Sequence, residues 1–307
     1  MSLYYPEGQL IGRAENRAAM QSISALREAM LKETVLEARA VKCDKDHNLH
    51  ISLGVMEGVI PRAEGAVGIA EGTVRDIALI SRVGRPVQFT VTGIGRTPEG
   101  GYSALLSRKR AQEKCAEEYL SRLAPGDVIP AVAAHMENFA VFCDIGAGVT
   151  ALLPIDSISV SRIPHPCARF VPGQQIKAVV KSRDELGRIT LTHKELLGTW
   201  EENAARFAPG ETVPGVIRSV ESYGVFVELT PNLAGLAEYD EKYVAGSECA
   251  VYIKNMIPQR MKIKLIIVDA GPVKSAPPAG EYFFTGQHMD RWRYSPEGCE
   301  KVVETVF

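Results

Sequence analysis

Apolar positions along this chain change period several times, and each change marks an element. Residues 1–11 read as a loosely ordered lead-in. Over 12–39 apolar side chains recur at Met20, Ile23, Leu26, Met30 and Leu36 with charges between them. That spacing predicts one amphipathic helix packed on a neighbouring domain. From 41 to 107 the pattern breaks into short β-like runs at 46–53, 57–61, 86–93 and 104–107, with Gly and Pro between them, as in a small barrel or sandwich. Residues 107–123, rich in Lys, Arg and Glu, read as a charged helix joining two domains.

A second β unit follows, with strands expected at 128–136, 140–145, 150–153, 175–182 and 188–192. Its proline-rich stretch 156–172 reads as a long loop or short helix. Residues 193–207 look like another linker helix, with Trp200 as its packing anchor. A third unit begins near Gly210 and closes over 261–268, its long connection cut down to 239–246. Residues 271–280 are linker-like. The tail from Glu281, with Tyr282, Phe283, Phe284, Trp292 and Tyr294, is too aromatic for a disordered end and is expected to dock on a domain.

The second and third units repeat. A shift of 84 positions carries Phe139 onto Tyr223, Phe142 onto Phe226, and Pro125–Gly126 onto Pro209–Gly210. Rings three apart on a regular strand face opposite sides. A bulge or tight bend at the intervening residue, Gly224 in the third unit, brings both to one face. Two exposed rings so placed can stack bases with little sequence preference, whereas the plain alternative has one ring of each pair filling the barrel.

Each unit reads as five short strands with one long connection, the arrangement of an OB-fold. Pro-Gly, a Val/Ile strand, Tyr223–Gly224–Val225–Phe226–Val227–Glu228–Leu229, Gly235–Leu236 and a basic closing strand together resemble the RNA-binding repeat of the ribosomal protein S1 family. The second unit fits through 137–146, 151–154 and 184–194. The first fits less fully, through 57–61 and 106–109. The resemblance implies a mainly β fold of tandem S1-type OB barrels joined by helical linkers. The expected division is a helical segment 1–40, a degenerate domain 41–107, a linker helix 108–124, a domain 125–192, a linker helix 193–207, a shortened domain 208–270 and a tail 271–307.

By the same resemblance Phe139, Phe142, Tyr223 and Phe226 form RNA platforms, and Asp184 and Arg188 match an acid and a base on the family's closing strand. Lys181 and Arg183 are candidate phosphate contacts, with a solvated face as the alternative. The third unit departs from the pattern, with Glu238 in place of a His, Pro258 in place of the Asp and Lys262 in place of the Arg. Lys254 and Lys262 restore some positive charge there. In the first unit His47 and His50 stand at the ring positions. Two histidines without further ligands make a poor metal site.

Charge sharpens this reading. The chain carries −2 overall, yet residues 161–195 hold seven basic residues against three acidic ones, a local +4. Six scattered cysteines with no Cys-x-x-Cys pair fit reduced thiols rather than a disulfide framework or zinc. The apolar runs are too short for a membrane span, and the start lacks a secretory pattern. No phosphate loop, nucleophile elbow, carboxylate pair or metal cluster stands out. The expectation is a cytoplasmic, non-enzymatic protein without cofactors. It binds single-stranded RNA such as mRNA, with the small ribosomal subunit as a further partner. The alternative is a scaffold whose OB domains bind protein.

Overall fold

The computed structural model describes residues 4–98, 100–273 and 281–307. The chain divides into two compact units, Met1–Leu123 with Asp144–Thr150, and Ala124–Cys143 with Ala151–Phe307. Its strands close three five-stranded barrels. In each, the chain order around the ring is first, second, third, fifth, fourth, and the third strand meets the fifth in parallel. This is the OB-fold.

The first barrel comprises β1 (Leu36–Cys43), β2 (Leu49–Ser52), β3 (Glu57–Ile60), β4 (Pro86–Arg96) and β5 (Tyr102–Ser107). Leu36, Leu49, Ile51, Ile60, Phe89 and Leu106 fill it. The single helix expected over 12–39 is instead two, α1 (Ala14–Ala19) and α2 (Ile23–Leu31), followed by β1. Ser22 divides them, its hydroxyl accepting from Ala25 N–H at 3.1 Å as a helix N-cap. Glu33 at φ 49 ends α2, so Leu36 belongs to a strand although it continues the helical spacing.

The lead-in, expected to be loose, is pinned over its described residues. Buried Glu37 accepts from the N–H groups of Gly8, Leu10 and Ile11 at 2.6–2.8 Å. Glu7 pairs with Arg108, on the helix that follows the barrel, at 2.8 Å. Hydropathy does not show such partners, because each is a single carboxylate distant in sequence.

The second barrel has β6 (Val128–Glu137), β7 (Ala140–Asp144), β8 (Thr150–Pro154), β9 (Gln175–Arg183) and β10 (Ile189–Thr192). The third has β11 (Thr212–Glu221), β12 (Gly224–Thr230), β13 (Leu233–Ala237), β14 (Ser247–Ile257) and β15 (Lys262–Val273). Stretch 193–207 is not a continuous helix. A 3₁₀ turn (Lys194–Leu197) ends at Gly198, whose φ of +83 suits glycine, and a five-residue helix (Trp200–Ala204) starts from the Thr199–Glu202 capping box.

The tail lies along this stretch and both barrels of the second unit. Met289 N–H donates to Gly126 O at 3.0 Å, and the Tyr294 hydroxyl donates to Asn232 O at 2.6 Å. A Cβ on Gly126 would stand 2.2 Å from Met289 O. That glycine of the repeated Pro-Gly thus makes room for the tail as well as the turn. Of the linker-like stretch 271–280, residues 274–280 lie outside the described residues.

Candidate nucleic-acid interface

The two aromatic pairs have nearly the same geometry. Phe139 and Phe142 meet edge to face with centroids 6.1 Å apart at 88°, and Tyr223 and Phe226 do so at 6.0 Å and 85°. The first ring of each pair is 59% and 68% exposed, respectively, and the second is half-buried. None of the four fills a barrel. The rings share a face because Phe139 and Tyr223 sit in the hairpin turns ahead of β7 and β12, outside the strand alternation. A bulge or bend at an intervening Gly is not the cause, since Ala140 takes that place in the second barrel and the β11–β12 ladder slips between Ile217 and Ser219 instead. Gly224 serves close packing, for its Cβ would lie 2.7 Å from Ala237 O.

His135 is a member of the site that the sequence pattern does not reveal. It stacks on Phe142 at 6.0 Å and 29°, extending the second platform to three rings. The 84-residue shift aligns it with Ser219, which pairs with Phe226 across the strands. An alignment through β6 and β11 as well as through the rings could have found it.

Cations recur at bulges. The ladders between the fourth and fifth strands slip once in the first and second barrels and three times in the third, and one slip in each leaves Thr92, Lys181 and Lys254 at equivalent places. Lys181 and Lys254 are exposed. Phe226 pairs with Leu236, and Leu236 with Lys264, so Lys264 lies in the ring's own row and Lys262 two residues along. Arg183 is exposed at the end of β9. Asp184 and Arg188 bind each other at 2.7 Å across the β9–β10 turn. Arg188 holds the Asp184 carboxyl below its usual range.

Comparison with known proteins agrees with this layout. The S1 RNA binding domain family matches residues 122–194, the second barrel with its flanks. Residues 122–194 are similar to the S1 RNA binding domain, and the chain is S1-like. The small ribosomal subunit protein bS1 of Staphylococcus aureus (strain COL) is 28% identical over 81% of this chain and 62% of its own length. That of Leuconostoc lactis is 34% identical over 45% of this chain and 33% of its own. The chain therefore spans less than two thirds of these relatives. A multidomain protein with nucleic acid binding domains from Streptococcus pneumoniae tigr4 matches 77% of this chain and 74% of its own at 11% identity. The TM-score of that match is 0.26.

Over residues 161–195 the local charge keeps its value but changes its members. Arg169 is buried against Glu228 and the Ser159 hydroxyl, and Glu195 is buried beneath Thr192 and Thr305. At the surface six basic residues (Arg162, Lys177, Lys181, Arg183, Arg188 and Lys194) face two acids, Asp184 and Glu185, again +4. The same ion pair removes Glu228 from the acids around the third barrel's rings. Glu228 also holds Arg218 at 2.8 Å.

The first barrel's face differs. His50 occupies the second ring's position, since Lys42 pairs with His50 beside a bulge as Ser219 does with Phe226, and His47 stands three residues before it. Acids surround them. His50 contacts Glu57 at 2.6 Å and Asp44 at 3.2 Å, and His47 contacts Asp76 at 3.4 Å. Glu57 above all draws the His50 pKa upward, and the charge so favoured stays beside its carboxylates. Among the described residues no group of three His, Cys, Asp or Glu is placed to hold a metal ion, and no helix is long and apolar enough to cross a membrane.

Proposed function

We propose that this S1-like chain binds single-stranded RNA, mRNA included, through its second and third barrels, by stacking bases on the ring pairs and neutralising phosphates with nearby cations. The observation that carries the reading is the recurrence of one edge-to-face ring pair at the same exposed place in two barrels. Apolar rings left in water at matching sites serve no packing purpose, and base stacking is worth ~1–3 kcal/mol per base.

The residues assigned are Phe139, Phe142 and His135 with Lys181, Arg183 and Arg188, and Tyr223 and Phe226 with Lys254, Lys262 and Lys264. Asp184 orients Arg188. The role is binding, with no chemical step. Curated relatives named as small-subunit proteins support the small ribosomal subunit as a partner and the cytoplasm as the location. Binding of an unstructured RNA, followed by fluorescence anisotropy, should weaken at least tenfold in Phe139→Ala/Phe142→Ala while the chain stays folded. Unchanged affinity would remove the second barrel from the site.

A second reading suits the first barrel. Its bulge carries Thr92 in place of Lys, acids flank its histidines, and Val41 and Leu105 are exposed on its outer strands. That surface favours protein over phosphate, so we leave His47 and His50 out of the RNA site.

A further inference from the structure

The third barrel's rings do not stand on an open surface. Segment 160–164, from the connection between β8 and β9, encloses a groove of about 600 Å³ against them. Arg162, Ile163 and Pro164 form one wall, and Glu221, Tyr223 and Phe226 the other. Ligand sites fall between ~300 and 1,000 Å³. The first wall is anchored, with Val160 N–H donating to Asn232 Oδ1 at 3.0 Å and Ser161 N–H to Pro231 O at 3.1 Å. Behind both lies the buried Arg169–Glu228 pair. A wall held this way is organised before any ligand arrives.

Three charged side chains line the groove. Arg218 is held by Glu228 at 2.8 Å, whereas Arg162 and Glu221 have no hydrogen-bond or ion-pair partner among the described residues. The equivalent acid in the second barrel, Glu137, is bound to His135 at 2.7 Å. The 84-residue shift puts Ser219 in place of that histidine, leaving the Glu221 carboxylate available beside an exposed ring pair. A carboxylate repels phosphate, so at such a place it suits a base edge that offers N–H groups.

We propose that this groove reads an unpaired guanine in single-stranded RNA. The proposal rests on the RNA-binding reading above. Guanine alone among the four bases presents two adjacent donors, N1–H and the N2 amino group, which match the two oxygens of one carboxylate. Adenine and cytosine place an acceptor nitrogen beside their amino group, and the uracil N–H is flanked by carbonyls. Tyr223 and Phe226 would carry the base's face, with Ile163 and Pro164 closing the far side and Arg162 meeting the adjoining phosphate. The second barrel's platform, its acid already bound, would take any base.

The test is anisotropy with the full chain and labelled uridine oligomers holding one central guanine, adenine, cytosine or hypoxanthine. The guanine oligomer should bind about tenfold tighter than all-uridine, the order expected for a bidentate contact. Hypoxanthine, which keeps N1–H and lacks the amino group, should fall between. Glu221→Gln should erase the guanine gain and leave all-uridine binding intact, whereas Arg162→Ala should weaken every oligomer alike. Equal affinities with all-uridine binding retained would overturn the guanine site alone, as would a preference that survives Glu221→Gln. Absence of binding to any oligomer would overturn the RNA reading with it.

Discussion

At the scale of single residues, exposure separates side chains that serve binding from those that hold the fold. Phe139 is mostly in water, so Phe139→Ala should change stability by no more than about 0.5 kcal/mol. Gly224→Ala should behave in the opposite way. Its Cβ would press on Ala237 O at 2.7 Å from a φ of +151, a strain of about 1–3 kcal/mol. Urea denaturation followed by tryptophan fluorescence distinguishes the two, because both tryptophans, Trp200 and Trp292, lie in the second unit. Equal stabilities would contradict the division between an exposed binding ring and a packed glycine. The four rings were legible in the sequence because one shift aligned them together. His135 was not, since its contact with Phe142 is lateral, between strands, and a histidine two residues before a turn carries no pattern of its own.

At the scale of elements, buried polar contacts decide how segments are held, and these are what the sequence concealed. Strands of the second barrel follow directly from alternation and turn residues. The ends of α2 and the break at Gly198 depend on a cap and a positive φ that hydropathy does not register. Burial also withdrew Arg169 and Glu228 from the surface charge. Glu228 serves two arginines, so Glu228→Leu leaves both Arg169 and Arg218 unpaired and should cost about 3–5 kcal/mol. Arg169→Met leaves Glu228 its second partner and should cost less. Denaturation midpoints rank the pair, and the reverse order would refute this view of the network.

His193 gives the same element a pH dependence. Its Nδ1–H donates to Ile158 O at 3.0 Å, and its Nε2 accepts from the Tyr282 hydroxyl at 3.3 Å, joining barrel, connection and tail. Burial pushes its pKa from 6.5 down to about 4. The folded state therefore keeps the ring neutral, while the unfolded chain takes up a proton near 6.5. The stability this contributes is complete above pH 6.5 and is lost as pH falls toward 4, up to about 3 kcal/mol for a gap of this size. Tryptophan-detected melting of the second unit should fall over that window and fall less in His193→Gln. Parallel losses in both proteins would show that another group titrates.

At the scale of the whole molecule, three barrels of one topology carry three different surfaces. The sequence showed the repeat and the charged stretch 161–195, which gives the second unit's rings more basic surroundings than the third's. The fold shows what stands around each ring pair. The second barrel combines three rings with a surface excess of +4, the third sets its rings in a walled groove, and the first surrounds its histidines with acids. RNA affinity should accordingly reside in the second unit.

The most direct test of that claim is the affinity of the full chain for oligouridine as salt is raised. Contacts from three or four phosphates predict a linear fall of log K with log salt, with a slope of about −2 to −3. Alanine at all four rings should lower the affinity while leaving much of that slope. A chain that binds no oligouridine, or binds it with no dependence on salt, contradicts RNA capture by these barrels.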